Sequence, residues 1–330
     1  MPDSGFEVTK REGGQTLAAL LKKHLDISWS QSRKLIEQRR VRINDQVCPD
    51  PVRRLSLGNR VDVQLDESPK KRPLKSPLAY AGGSPKHRSP TPTPTPALVH
   101  IDDQIIVAEK PPGITTMRHA EEAAEFGARA KRFLPPTLAD LLPNLIGDRR
   151  PPRAVHRIDR DTSGLVVFAR TKEAEADLGT QFRTHAVARR YLALVRGRPM
   201  EGRIESWLVA DRGDGRRGSG PPGQGQRAVT NVRVVEEFGP FAMVECQLET
   251  GRTHQVRIHL GEAGAPLCGE RVYDRPLNGA PLPDDSGAQR TMLHAAFLGL
   301  HHPATGEWLE WQSPLPADMS ELLRKLRSPR

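Results

Sequence analysis

Apolar positions along this 330-residue chain fall into three regimes. In TLAALLKKHL, which begins at Thr16, they recur at 17, 20, 21 and 25, the spacing of one helix face, with Thr16 placed to cap it. A second helix is predicted in SWSQSRKLIEQRRVRINDQ, capped by Ser30 and carrying Arg33, Lys34, Arg39 and Arg40 on its outer face. A short strand VRIN and a turn at Asn44-Asp45 follow, and LSLGNRVDVQL reads as a turn at Gly58-Asn59 and a further strand. The pattern then vanishes. Residues 67–97 are rich in Pro, Ser, Lys and Gly, with too few apolar groups to repay the entropy of folding, and their PTPTPTP run favours extended polyproline II, so this stretch is expected to be a linker.

From residue 98 onward the runs are short and alternating. ALVHIDDQIIVAEKPPG gives two strands around Asp102-Asp103, then a rigid loop behind Lys110. GLVVFAR, RRYLALVRG, NVRVVEEF, FAMVECQLE and VRIHL are further strand candidates, and KEAEADLGTQFRTH has a helical pattern. The expected fold class is α+β: a large, mainly antiparallel sheet with helices outside it, behind a small N-terminal domain. The organisation expected is 1–66 for the small domain, 67–97 for the linker and 98–330 for the larger domain. Two insertions interrupt the last, at about 118–150, with the helical-looking AEEAAEFGARAKRF, and at 211–227, where DRGDGRRGSGPPGQGQR reads as a mobile loop.

Charge changes the picture. Lys and Arg outnumber Asp and Glu by 50 to 40, a formal net charge of +10, which favours phosphate-bearing partners. Two short helices with a basic rim and a small hairpin make a platform for a folded RNA backbone; the competing reading is that these cations only solvate a helix. The 3 cysteines are widely spaced and suit a reducing cytoplasm. No apolar leader and no run of about 20 apolar residues is present, so neither export nor a membrane partner is expected, and the chain is expected to be a monomer.

Candidate chemistry concentrates in HRIDRDTSGLVVFAR, residues 156–170. Thr162-Ser163-Gly164 reads as a turn and LVVF as a buried strand, which puts His156, Arg157, Asp159, Arg160 and Asp161 on the loop entering the sheet. A purely structural reading pairs Asp159 or Asp161 with Arg157 or Arg160. Two carboxylates so close on one loop do not give the opposed geometry of a glycosidase. The histidines at 156, 254, 259, 294, 301 and 302 do not suggest metal, because the spacing in HQVRIH suits neither one helix face nor a compact chelate. His254 and Gln255 are expected to orient Arg252, Arg257 or a phosphate, and Lys110, beside Pro-Pro-Gly, to support a pocket or contact RNA.

HRIDRDTSGLVVFART resembles the signature of the RluA-type pseudouridine synthases, His-Arg-Leu-Asp, two variable residues, then Thr-Ser-Gly, with Ile158 in place of Leu. Three more segments are similar in the same order. IDDQIIVAEKPPGI resembles the Asn-Lys-Pro-x-Gly segment with Glu109 for Asn, RRYLALVRG the Lys-x-Tyr segment with Arg189 for Lys, and LETGRTHQVRIHL the Gly-Arg-Thr-His-Gln-Ile-Arg segment. Residues 16 to about 65 resemble the αL-type, S4-like RNA-binding module found in a small-subunit ribosomal protein and several RNA-modifying enzymes.

The resemblance implies a pseudouridine synthase fold and cofactor-free isomerisation of uridines in RNA, with a lean toward large-subunit (23S) ribosomal RNA or its precursor particle. It implies Asp159 as the essential carboxylate, nucleophile or base at the ribose, with Arg257 as its salt-bridging partner and Tyr191 against the uracil. By the same resemblance, Arg157 is expected to fill the gap left by the flipped nucleotide. His156, Arg252, His254 and Lys110 join Arg33, Lys34, Arg39 and Arg40 as RNA-contacting candidates. The alternatives are an RNA-binding or ribosome-assembly protein that has lost catalysis, a transfer-RNA-directed synthase, and a nucleoside-cleaving hydrolase. Intact Asp159, Tyr191 and Arg257 favour an enzyme, and the basic flank disfavours the hydrolase.

Overall fold

The computed structural model describes residues 3–9, 12–27, 31–32, 35–36, 38–48, 50, 53, 55–64, 95–118, 135–148, 150–212, 216–277 and 279–328. Arg33, Lys34, the expected linker up to residue 94 and the stretch AEEAAEFGARAKRF lie outside them. Two compact units are present, Met1–Thr91 with Val209–Gly220, and Pro92–Leu208 with Pro221–Arg330.

In the first unit, α1 (Leu17–Leu25) starts where Thr16 accepts a hydrogen bond from the Ala19 N–H at 3.3 Å, and it buries Leu17, Ala18, Leu20 and Leu21. Against it lies an antiparallel sheet of β1 (Asp3–Glu7), β2 (Val41–Ile43), β3 (Gln46–Val47) and β4 (Arg60–Gln64), in the order β1-β4-β2-β3. Period-two alternation turns Val41, Ile43, Val61 and Val63 inward onto the helix core. Asn44 and Asp45 both have positive φ, the backbone of a two-residue hairpin turn between β2 and β3. One placement differs from the sequence reading. Arg39 adopts a left-handed φ of 59° and, with Arg40, lies in the turn leading to β2 rather than on a helix face.

The second unit is built on a mixed sheet. Its strands are β5 (Ala97–Ile101), β6 (Ile105–Lys110), β7 (Arg153–Ala154), β8 (Ser163–Ala169), β9 (Ala188–Arg196), β10 (Gly202–Val209), β12 (Gln226–Phe238), β13 (Phe241–Leu248), β14 (Leu293–His301) and β15 (Trp308–Gln312); β11 is Gly218–Gly220. The path runs β10-β12-β13-β9-β14-β8-β6-β5, with β15 on β14 and β7 on β8. All its pairings are antiparallel except β14 with β8.

Alternate residues of the central strands feed opposite faces. Ile106, Ala108, Val166, Phe168, Ala193 and Val195 join a core that includes α2 (Leu138–Ile146) and α4 (Gln255–Glu262). Ile105, Val107, Leu165 and Val167 face α3 (Lys172–Arg183), and Leu194 faces α5 (Ala317–Arg327). Burial on both faces explains why β8 reads as a continuous apolar run, all seven of its residues being buried.

Three further placements depart from the sequence reading. VRIHL is not a strand but most of α4: Val256, Ile258 and Leu260 are all buried, and periodicity alone does not separate a short buried helix from a strand. Ser163 and Gly164 belong to β8, the turn falling at Arg160-Asp161. Gly164, at φ 111°, lies so near the Ala295 carbonyl that a Cβ would collide with it, so glycine permits the close parallel pairing of β8 with β14. Within the expected loop 211–227, residues 218–220 and 226–227 are in strands. No described helix is long and apolar enough to cross a membrane. Cys48, Cys246 and Cys268 are free and buried.

Candidate active site

The loop ahead of β8 is fixed from below by the segment that follows β6. Lys110, fully buried at the end of that strand, donates through Nζ to the carbonyls of Pro111, Ile114 and Arg160, each at 2.9 Å. Burial lowers its pKa to about 7 against the pull of Asp161 and Asp159. Gly113 N–H donates to the Arg160 carbonyl at 2.9 Å, and Arg160 Nε returns a bond to the Gly113 carbonyl at 2.9 Å. Thr116 Oγ1 accepts from the Ile158 N–H at 3.2 Å and donates to the Ile158 carbonyl at 3.0 Å. Asp159 therefore sits between two pinned residues, on a loop held by the sheet.

Asp159 points at α4. Its Oδ2 lies 3.4 Å from Arg257 Nη1, and its Oδ1 lies 3.8 Å from His254 Nε2. Burial pushes the carboxyl up, but His254 and Arg257 outweigh it, and its pKa falls below the usual carboxylate range. The carboxylate is thus kept ionised in a mostly enclosed position, which is what a nucleophile or base requires. His254 is held in turn: its Nδ1 shares a hydrogen bond of 2.8 Å with the Tyr273 hydroxyl, and its own backbone is left-handed, at φ 61°, as the cap of α4.

A cavity of about 470 Å³ opens here. Its wall includes Asp159, Tyr191, Arg157, Arg252, His254 and Arg257. Tyr191 lies on β9, buried, with a pKa that burial raises, so the phenol stays neutral. Arg157 is exposed at the loop surface. His156 has a holding part: its Nε2 accepts the Val167 N–H at 3.0 Å, its ring stacks on Phe182 at 4.5 Å, and burial drops its pKa to about 3. Arg252 donates through Nε to the Arg227 carbonyl and through its backbone N–H to Gln255 Oε1, both at 3.0 Å. Gln255 also reaches the Val229 carbonyl at 2.9 Å and Thr230 Oγ1 at 3.0 Å, so it ties the 250–255 turn to β12. Arg39 and Arg40 belong to the other unit, where they line a cavity with Arg42 and Arg60.

Glu270 and Tyr273 escape the sequence reading. Glu270, its side chain fully buried, accepts Arg257 Nε at 2.7 Å and Nη2 at 2.9 Å, along with the backbone N–H groups of Arg271, Val272 and Tyr273. Burial opposes its charge, yet Arg257 and these donors hold its pKa down. The signal for it was slight: one of two carboxylates in CGERVYD, a stretch between α4 and β14 whose sequence does not call for a buried acid. Among the described residues no cluster of His, Cys, Asp and Glu has the makings of a metal site.

Comparison with known proteins fits this geometry. The solved structure of human RNA Pseudouridylate Synthase Domain Containing 4 superimposes with a TM-score of 0.52 at 25% identity, over 70% of this chain and 93% of that one. Residues 104–262 match the RNA pseudouridylate synthase family and residues 16–61 the S4 domain. A ribosomal large subunit pseudouridine synthase D of Pasteurella multocida is 30% identical over 98% of this chain and 94% of its own length. That of Salmonella typhimurium is 31% identical over 97% and 93%. An uncharacterized RNA pseudouridine synthase of Chloroflexus aurantiacus is 43% identical over 55% of this chain, which spans 56% of that relative. Fold and site together define an RNA-modifying enzyme with an N-terminal RNA-binding domain. The chain belongs to the RNA pseudouridylate synthase family, whose enzymes isomerise uridine to pseudouridine.

Proposed function

We propose that this chain converts a uridine of large-subunit ribosomal RNA to pseudouridine, with Asp159 acting on the ribose of a flipped nucleotide. The observation that carries this reading is the placement of Asp159 on the pinned loop before β8, 3.4 Å from Arg257 and facing the same cavity as Tyr191. The ribosomal substrate is supported by the names of the relatives that align over nearly the whole chain.

The reaction breaks C1′–N1, turns the uracil and joins C1′ to C5; a proton leaves C5 and one is gained at N1. No atom is exchanged with a cofactor. Asp159 acts either by attacking C1′ or by taking the proton at C2′, and both need the ionised carboxylate that Arg257 and His254 maintain. Tyr191 offers a ring for uracil to stack on and a neutral hydroxyl for proton movement at the base. The exposed Arg157 is placed to occupy the space vacated by the extruded base, since C1′ is not approachable within a stack. The S4 domain supplies phosphate contacts that position the RNA. A cytoplasmic monomer, organised as a small RNA-binding domain, a linker and a synthase domain, completes the reading.

The test is Asp159→Asn, which keeps size and removes charge. Tritium release from C5-labelled uridine in ribosomal RNA should disappear while RNA affinity stays; turnover near wild type moves the essential carboxylate elsewhere. Carbodiimide mapping of the RNA identifies the modified position.

A further inference from the structure

Among the described residues, Arg189 is a buried cation without a counter-ion. It is 7% exposed, its Nε is buried without a hydrogen-bond partner, and its guanidinium makes no hydrogen bond or ion pair with any described residue. Such a group is costly to keep unless something else meets it. Its surroundings hold it in place without neutralising it: the Phe182 ring centroid lies 5.5 Å from the guanidinium carbon, and Gly251 packs so near Nη1 that any Cβ at 251 would collide with it. Burial lowers the pKa of Arg189, Tyr191 pulls the other way, and the nearby cation of Arg252 adds to the lowering.

Position gives this cation a partner. Arg189 and Tyr191 are both buried on β9 and two residues apart, so they share one face of the strand about 7 Å apart along it. Both line the cavity that contains Asp159. Arg157, Arg183, Arg189, Arg252 and Arg257 contribute to its wall, and among the described lining residues the only carboxylate is Asp159, already flanked by Arg257 and His254. The cavity wall therefore carries an excess of positive charge.

We infer that Arg189, with Arg252 beside it, is the binding site for a phosphate group flanking the target uridine, so that the uracil lies at Tyr191 and its phosphate at Arg189. This rests on the proposed function for the nature of the occupant. A guanidinium matches phosphate geometry with paired N–H donors, and a phosphate arriving with the substrate satisfies a charge that the protein leaves open. Arg189 is thus a binding and positioning residue rather than a catalytic one.

The experiment titrates the full-length protein with uridine, uridine 3′-monophosphate and uridine 5′-monophosphate, followed by calorimetry or nuclear magnetic resonance. In the wild type one monophosphate should bind about tenfold more tightly than uridine, the worth of a charge-assisted pair. Arg189→Met should erase that preference, and Arg189→Lys should keep part of it. Melting temperature supplies the control, because removing an unpaired buried cation should leave Tm unchanged or raise it, whereas loss of a packing role lowers it. Equal binding of all three ligands by the wild type, or a preference that survives Arg189→Met, or a fall in Tm together with loss of uridine binding, overturns the subsite. A phosphate preference in a protein that fails to isomerise uridine in RNA leaves the subsite standing and removes the proposed function instead.

Discussion

Glu270 holds Arg257 more closely than Asp159 does: the guanidinium spends Nε and Nη2 on Glu270 at 2.7 and 2.9 Å and presents Nη1 to Asp159 at 3.4 Å. The arginine is anchored from behind, so its position toward Asp159 is set by a carboxylate that never meets substrate. Glu270→Gln preserves shape but removes one half of the charge pairing. The expected result is a fall in kcat of up to about a hundredfold, the scale of an ångström of misplacement at a reacting group, with RNA affinity nearly unchanged. Single-turnover tritium release and filter binding measure the two. A variant that loses affinity and rate together contradicts a positioning role.

The same three charges set an acid limit. Asp159 and Glu270 both have pKa values below the usual range, each driven up by burial and brought down further by its cationic neighbours, His254 then Arg257 for Asp159 and Arg257 for Glu270. In the window below about pH 4 the unfolded chain takes up protons that the folded chain refuses, so unfolding free energy falls as pH falls. Above that window the contribution is fully present. Arg257→Met removes the cation that the two carboxylates share and should move this acid edge upward while costing about 3–5 kcal/mol at neutral pH, the penalty of stranded buried charge. Urea denaturation from pH 3 to 7 reads both effects; an unshifted edge in the variant separates Arg257 from these carboxylates.

Lys110 offers a sharper case of a single side chain organising a loop. Its Nζ satisfies three carbonyls, one of them that of Arg160, next to Asp159. Lys110→Met keeps the length and strips the donors, and each buried carbonyl left unpaired costs about 1–3 kcal/mol. Stability should fall by several kcal/mol, on the order of that sum, and at a temperature where the variant remains folded its kcat should fall too. Full stability in Lys110→Met would show that the carbonyls find other donors.

Much of this was legible in the chain, and the pattern of what was not is physical. Thr16 announces its cap because capping is local, and the buried strand 165–168 announces the loop before it because a continuous apolar run has to lie in a core. Asp159, Tyr191 and Arg257 fall in segments with recognisable spacing, and all three line one cavity. Glu270 was invisible because its partner is 13 residues away across a turn whose sequence would be equally at home on a surface. VRIHL misled because α4 is buried nearly all round, which removes the polar face that marks a helix. β1, DSGFE, has little strand propensity and owes its conformation to pairing with β4.

The N-terminal unit should contribute affinity rather than chemistry, and its described cations allow a test that keeps the chain whole. Arg39, Arg40, Arg42 and Arg60 line one cavity of that unit, where Arg60 is engaged by Asp62 at 3.2 Å. Arg39 lies in the turn before β2, more exposed than Arg40 beside it, and neither is a buried core residue, so the pair is neutralised as Arg39→Gln with Arg40→Gln. Every RNA phosphate that is no longer neutralised by an arginine should lower the slope of log K against log salt by about 0.7 to 0.9, so the double variant should show a flatter slope by up to about 1.8 and weaker binding at low salt. Single-turnover rate at saturating enzyme should stay within about tenfold of wild type, because uniform binding contributes to affinity without altering the barrier from the bound state. The measurement is RNA binding at several salt concentrations beside tritium release on the same RNA. An unchanged slope would place the RNA backbone away from these arginines, and a collapse of the saturated rate would mean that the unit helps to assemble the active site.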